Sequence, residues 1–274
     1  MATGDPQREV MPFPHALIIS APFGNYVRPA GATPTLGTFT LARRPGRWHR
    51  ILRTVRYMPR LGAWVNRIGL RNPGIAWLED RVARSRDKVA DAIVSIHGFE
   101  PHEWRELIAR TANLRPGAIE LNVSCPNVGE LTWPDWLFAE SLAALPGRII
   151  VKVPPVRYER MVRDALGAGV RMLHCCNTLP VPGGGMSGKP LKPLALIAIA
   201  RVRTIASEMG IDPASLTIIG GGGITTEADI DDYAEAGATR VAIGTKVFHP
   251  KYLWSDAGIR PLIARAEKRL THGH

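Results

Sequence analysis

Residues 119–127 read Ile-Glu-Leu-Asn-Val-Ser-Cys-Pro-Asn, which sets the thiol of Cys125 between the carboxamides of Asn122 and Asn127. A thiol can move a proton or attack carbon. A carboxamide offers both donors and an acceptor to a planar ligand. Ile119, Leu121 and Val123 alternate with Glu120 and Asn122, the spacing of a strand. Pro126 cannot donate to a ladder, so the strand stops there and delivers its polar residues to a strand end. Lys152 is a second candidate, a single cation inside the apolar run Ile149–Val153 and followed by two prolines. Asn66 and Asn177 extend the set of carboxamides at element ends.

Two glycine-rich turns point to an anion. Ile218-Ile219-Gly220-Gly221-Gly222-Gly223 opens a helix, and Val241-Ala242-Ile243-Gly244-Thr245 repeats the pattern one strand later. Glycine lets backbone N–H groups approach a phosphate closely. One such loop alone could equally be a tight strand-to-helix turn; two in adjacent units favour a phosphate site. The spacing matches neither a Walker loop nor a Rossmann fingerprint.

Positioning these groups requires strands that end on one side. Eight strand-like runs occur, at Leu17–Ser20, Thr35–Thr40, Ala92–Ile96, Ile119–Val123, Ile149–Val153, Met172–Cys176, Thr217–Ile219 and Val241–Ile243. From residue 90 onward they alternate with helical patterns at Pro101–Asn113, near Trp133–Leu145, from Tyr158, at about Pro193–Met209, and after a Thr226/Asp229 capping box. Alternation of this kind implies a parallel sheet. Eight strands in 274 residues favour an α/β fold of the (β/α)8 TIM-barrel type, with 1–274 as a single domain. Functional residues of a barrel gather where strands end and helices begin.

Composition is ordinary for a globular chain, at 45% hydrophobic and 22% charged. No apolar run is long enough to span a bilayer, and the first ten residues resemble neither a secretory signal nor a transit peptide. Three cysteines, two of them adjacent at 175 and 176, form neither a disulfide framework nor a zinc site. Cys175 and Cys176 read as core and loop residues. No metal is expected, and a cytoplasmic setting follows by default.

The net charge of +11 is unevenly placed: no acidic residue lies between Val10 and Leu78, while ten arginines fall between Arg28 and Arg71. Within that segment Trp48, Ile51, Leu52 and Val55 have helical spacing. Such a helix packs its apolar stripe on the body of the protein, or meets an anionic surface or acidic partner along 43–71. Nucleic acid is not expected, since no RNA-binding aromatic motif accompanies the charge.

From about Leu17 to Phe248 the chain resembles the dihydroorotate dehydrogenase family of FMN-containing barrels. The resemblance rests on Asn66-Arg67-Ile68-Gly69-Leu70-Arg71-Asn72-Pro73-Gly74, Glu120–Asn127, Val151-Lys152-Val153-Pro154-Pro155, Cys176-Asn177-Thr178, Gly183–Gly188 with Lys192-Pro193, and both glycine turns. It implies an FMN-dependent oxidation of dihydroorotate to orotate in pyrimidine biosynthesis. Cys125 would remove a proton while hydride passes to flavin N5, and Lys152 would stabilise the reduced ring. Asn66, Gly69, Leu70, Asn122, Asn127, Asn177 and Thr178 would hold the substrate. Ala21, Gly24, Thr38, Asn122, Lys152, Gly184, Gly185, Gly222, Gly223, Gly244 and Thr245 would hold FMN. A small soluble electron acceptor and a homodimer also follow from the resemblance.

Two departures stand out. The family's second-strand lysine is absent, because the aligned run is Gly37-Thr38-Phe39-Thr40, and a basic insert at about 43–62, containing the run 47–58, stands where relatives have a short proline-rich stretch. Arg28, Arg67 and Arg71 are candidate substitutes for that lysine. An ene-reductase or oxidase acting on another carbonyl-conjugated substrate, carrier-bound or from secondary metabolism, is therefore an alternative. A flavin-binding interaction module without turnover is another.

Overall fold

The computed structural model describes residues 13–123 and 132–270. Cys125 and Asn127 lie outside the described residues. Strands β1 (Leu17–Ile19), β2 (Ala32–Phe39), β5 (Ile93–Ile96), β6 (Ala118–Leu121), β7 (Ile149–Val153), β8 (Met172–Cys175), β11 (Thr217–Gly221) and β12 (Arg240–Ile243) close a parallel barrel in the order β1-β12-β11-β8-β7-β6-β5-β2. These are the eight strands read from the sequence. Helices α2 (Ile75–Ala83), α3 (Pro101–Asn113), α4 (Leu137–Ala144), α5 (Glu159–Gly167), α6 (Leu191–Glu208), α7 (Glu227–Glu235) and α8 (Arg260–Leu270) complete the units. The capping box opens α7 as expected, with Asp229 N donating to Thr226 Oγ1 at 3.3 Å and Thr226 N donating to Asp229 Oδ2 at 2.8 Å.

Side-chain alternation explains how one barrel holds both an oily core and a polar floor. Residues two apart on a strand share a face. Ile18, Ile93, Ala118, Ile150, Met172, Ile219 and Ala242 pack with Phe13 into one buried apolar layer. Two residues further along β5, β6, β7 and β8 the same inward face carries Ser95, Glu120, Lys152 and His174, all buried. Ile119, Leu121, Val151 and Leu173 belong to the separate core shared with the helices. The polar half of the alternation in Ile119–Val123 thus points into the barrel, not into solvent.

A second sheet, absent from the sequence reading, sits at the strand-end face. Strands β3 (Arg56–Met58), β4 (Ala63–Asn66), β9 (Leu179–Val181) and β10 (Gly184–Gly188) form it in the order β3-β4-β10-β9. Both hairpins are insertions that follow barrel strands. Trp64 stacks on Phe248 with ring centroids 4.6 Å apart, and Tyr57 lies 4.8 Å from Trp64, which fastens this sheet to the loop after β12.

The glycines of β10 serve this sheet. Gly184 has φ +137°, and a Cβ there would stand 2.0 Å from the Asn66 carbonyl oxygen. Gly184→Ala is expected to cost about 2 kcal/mol or more in urea unfolding, through overpacking and backbone strain together. Gly183→Ala, where φ is +102° but nothing lies within 4 Å, should cost only the strain.

Candidate functional site

A cavity of about 490 Å³ opens at the ends of the barrel strands and is roofed by the second sheet. Its wall contains Ala21, Thr38, Asn66, Gly69, Leu70, Asn122, Lys152, Asn177, Thr178, Gly222, Gly223, Gly244 and Thr245. Thus most of the residues singled out in the sequence converge on one space. Three do not. Gly24 is buried against β2, where a Cβ would stand 2.4 Å from the Thr35 carbonyl oxygen, and Gly184 and Gly185 pair with β4 and β9. These glycines permit close backbone approach and stay out of the cavity wall.

Lys152 is held from below. Its Nζ lies 3.5 Å from Glu120 Oε1, and both side chains are less than a tenth exposed. Ser95 Oγ donates to Glu120 Oε1 at 2.8 Å, and His174 Nδ1 lies 2.7 Å from Glu120 Oε2. Burial alone would raise the Glu120 carboxyl. The Lys152 charge and the hydrogen bond from His174 outweigh it and hold the group well below the usual carboxylate range. Burial, and then the Lys152 charge, push His174 down, so the imidazole is neutral and Nδ1–H donates to the carboxylate. A Cβ at Gly221 would come within 2.8 Å of His174 Nε2, so this ring needs a glycine on β11.

The same network reaches the carboxamides. Thr38 Oγ1 lies 2.9 Å from Ser95 Oγ, Asn122 Nδ2 donates to Thr38 Oγ1 at 3.0 Å, and Asn177 Nδ2 donates to Asn122 Oδ1 at 2.8 Å. His97, neutralised by burial, lies with Nδ1 2.8 Å from the Asn122 carbonyl oxygen and fixes the backbone there. Asn72 ties the Gly69–Leu70 turn to the end of β2: its Nδ2 donates to the Leu70 carbonyl at 2.7 Å and to Thr40 Oγ1 at 2.9 Å. Leu70 has φ +53°, a backbone uncommon for a branched side chain and one that persists where surroundings impose it.

Glu120 and His174 were missed as site residues. Their signal was present, because a lysine buried in an apolar strand demands a carboxylate nearby. Cys176 also reaches the wall, but burial pushes its thiol up to about 12 and it donates to the Gly221 carbonyl at 3.7 Å, so it is inert at neutral pH.

The helix read at 47–58 forms as α1 (Arg47–Thr54) and gives way to β3. Its apolar stripe does not pack on the barrel as one expectation had it: Trp48 is 75% and Leu52 80% exposed, and only Ile51, with Trp48 and Arg47, borders the cavity. Among the described residues of the wall there is no aspartate or glutamate, whereas Arg47, Arg71 and Lys152 are present.

The wall fits an anionic, planar cofactor such as FMN. Backbone of Gly221–Gly223 and Gly244–Thr245 faces the cavity, and a Cβ on Gly244 would meet no atom closer than 3.6 Å, leaving an open backbone surface for a phosphate. Glu120→Gln would leave Lys152 buried without its counter-charge. It should destabilise the fold by about 3–5 kcal/mol in denaturant titration. Both depressed groups bind more protons when unfolded, so wild-type stability should fall on acidification. The His174 contribution is lost as pH drops below about 6.5, and that of Glu120 below about 4.3. Glu120→Gln should flatten the second phase.

The family profile described as dihydroorotate dehydrogenase matches residues 28–134 and 168–263. The catalytic subunit of dihydroorotate dehydrogenase B (NAD(+)) from Trichlorobacter lovleyi is 33% identical over 221 residues, which is 71% of this chain and 70% of that protein. Its counterpart from Pelobacter propionicus is 32% identical over 254 residues, 82% and 79% of the two chains. Dihydroorotate dehydrogenase A (fumarate) from Limosilactobacillus reuteri is 33% identical over 215 residues, 68% and 67% of the two. Eimeria tenella DHODH, solved with ferulenol, superposes with a TM-score of 0.71 at 19% identity, covering 93% of this chain and 81% of that one, a likeness of fold.

Proposed function

Because this chain belongs to the dihydroorotate dehydrogenase family, we propose that it is an FMN-dependent oxidoreductase that converts dihydroorotate to orotate in pyrimidine biosynthesis. The observation that carries the reading is the strand-end cavity, whose floor presents a buried lysine and whose rim offers carboxamides and bare backbone. Gly222, Gly223, Gly244 and Thr245 would hold the phosphate end of FMN, and Ala21, Thr38 and Asn122 would lie beside its ring system. When bound, FMN supplies the two-electron acceptor for the hydride lost by the substrate. Lys152, fixed by Glu120, offers a preorganised positive charge where negative charge develops. Asn66, Gly69, Leu70, Asn122, Asn127, Asn177 and Thr178 orient the pyrimidine ring. Cys125 Sγ takes the proton from the substrate carbon. An ordinary thiol titrates near 8.5, so this step should accelerate as pH rises toward that value.

The family's second-strand lysine has no room here. Gly37 has φ +103°, and a Cβ would stand 2.4 Å from the Ser95 carbonyl oxygen. That observation favours a second reading, an ene-reductase or oxidase acting on a different carbonyl-conjugated substrate. Whichever substrate is used, the chain works as one domain, in the cytoplasm and as a homodimer. No helix among the described residues is long and apolar enough to cross a membrane. The exposed Trp48 and Leu52 amid arginines support an acidic partner or anionic surface at 43–71. The relatives named as catalytic subunits are consistent with a partner.

Anaerobic dihydroorotate should bleach the flavin of the FMN-loaded protein. Cys125→Ala should slow that bleaching by about 10²–10⁴-fold while leaving orotate binding intact. Flavin that stays oxidised under dihydroorotate rejects the substrate, and bleaching indifferent to Cys125→Ala rejects the proton-transfer role.

A further inference from the structure

We propose that Arg71, braced by Arg47, is the carboxylate-recognition element of this cavity and replaces the lysine that Gly37 excludes. The proposal rests on the reading of the cavity as a site for an anionic pyrimidine.

The three arginines first considered for this role separate cleanly by position. Arg28 is committed elsewhere: Nη1 lies 2.8 Å from Asp87 Oδ1, and Nε donates to the Gly24 carbonyl at 2.8 Å. Arg67 is exposed and outside the cavity wall. Arg71 lines the cavity directly after the Gly69–Leu70 turn.

The Arg71 guanidinium is under-used by the protein itself. Nη1 donates to the Pro45 carbonyl at 3.3 Å, and Nε is buried with no hydrogen-bond partner among the described residues. The main chain at Arg71 and Asn72 is held by its neighbours. Arg47 Nε donates to the Arg71 carbonyl at 2.8 Å, and Arg47 Nη1 donates to Tyr26 Oη at 2.5 Å. Arg44 N donates to the Asn72 carbonyl and Asn72 N returns the bond to Arg44, at 2.8 and 3.0 Å.

The surrounding charge is of one sign. Arg44, stacked 4.4 Å over Phe99, is pushed down by burial and next by the charge of Arg71, so the positive charge of Arg71 is felt at Arg44. Glu103 raises Arg44 by a smaller amount, and no carboxylate enters the cavity wall among the described residues. Such a site gains by taking up an anion. A guanidinium offers a planar fork to a carboxylate, which the single ammonium it replaces does not. The ligand class is therefore a planar ring carrying a carboxylate at the edge that faces residues 69–71.

The test compares orotate with uracil, the same ring without the carboxylate, by calorimetric or flavin-difference titration of FMN-loaded protein. Wild type should prefer orotate by at least about tenfold, and Arg71→Gln should weaken orotate by about 10- to 100-fold while leaving uracil unchanged. Arg47→Gln should weaken orotate less, and Arg67→Gln should not alter it. Orotate binding that Arg71→Gln leaves unchanged overturns the clamp and spares the reaction. Arg71-dependent orotate binding with no bleaching by dihydroorotate supports the clamp and overturns the reaction. Failure of wild type to bind orotate overturns both.

Discussion

A lysine inside a barrel has to be neutralised where it stands, and the Glu120 carboxylate that does so determines much of the surrounding architecture. Two charges removed from water repay their desolvation only when geometry and further hydrogen bonds are favourable. Here Ser95 and His174 complete the carboxylate, one on each side. The bond from Ser95 continues through Thr38 to Asn122 and Asn177, so the electrostatic solution for one lysine also orients the carboxamides above it. Gly221 yields space to His174, and the neighbouring glycines of that turn form the bare backbone of the cavity. Charge compensation and the carboxamides therefore share one hydrogen-bonded floor, with the glycine turn packed against it.

Much of this was legible because a parallel barrel imposes simple periodicities. Each strand had to be short and apolar, each helix amphipathic, and reactive residues had to fall at strand ends. The eight barrel strands and the cavity positions of Lys152, Asn122, Asn177 and Gly222 followed from those rules. Glu120 was harder, since strand alternation alone does not say which face is interior. In this barrel the polar face points inward, and a buried carboxylate looks in sequence like an exposed one.

The roof over the cavity was invisible for a different reason. Leu179–Gly188 contains prolines and repeated glycines, a composition that argues against strands. It pairs nonetheless, because Gly184 and Gly188 let β10 approach β4 more closely than any side chain would permit. The glycines read there as cofactor contacts are contacts between strands. Helix α1 shows the opposite failure: its periodicity was real, but its apolar residues face outward beside the cavity mouth, so the pattern encoded a surface. The same basic insert carries Arg47 to the carbonyl of Arg71, linking the segment that most distinguishes this chain to the strand-end cavity.

The midpoint potential of protein-bound FMN tests the central claim most directly, comparing wild type with Lys152→Gln. A cation held beside the ring favours the reduced, negatively charged form, so one FMN per chain should bind and its potential should move to more negative values when Lys152 is replaced. Wild-type protein that retains no FMN, or a potential that the substitution leaves unmoved, would contradict the account.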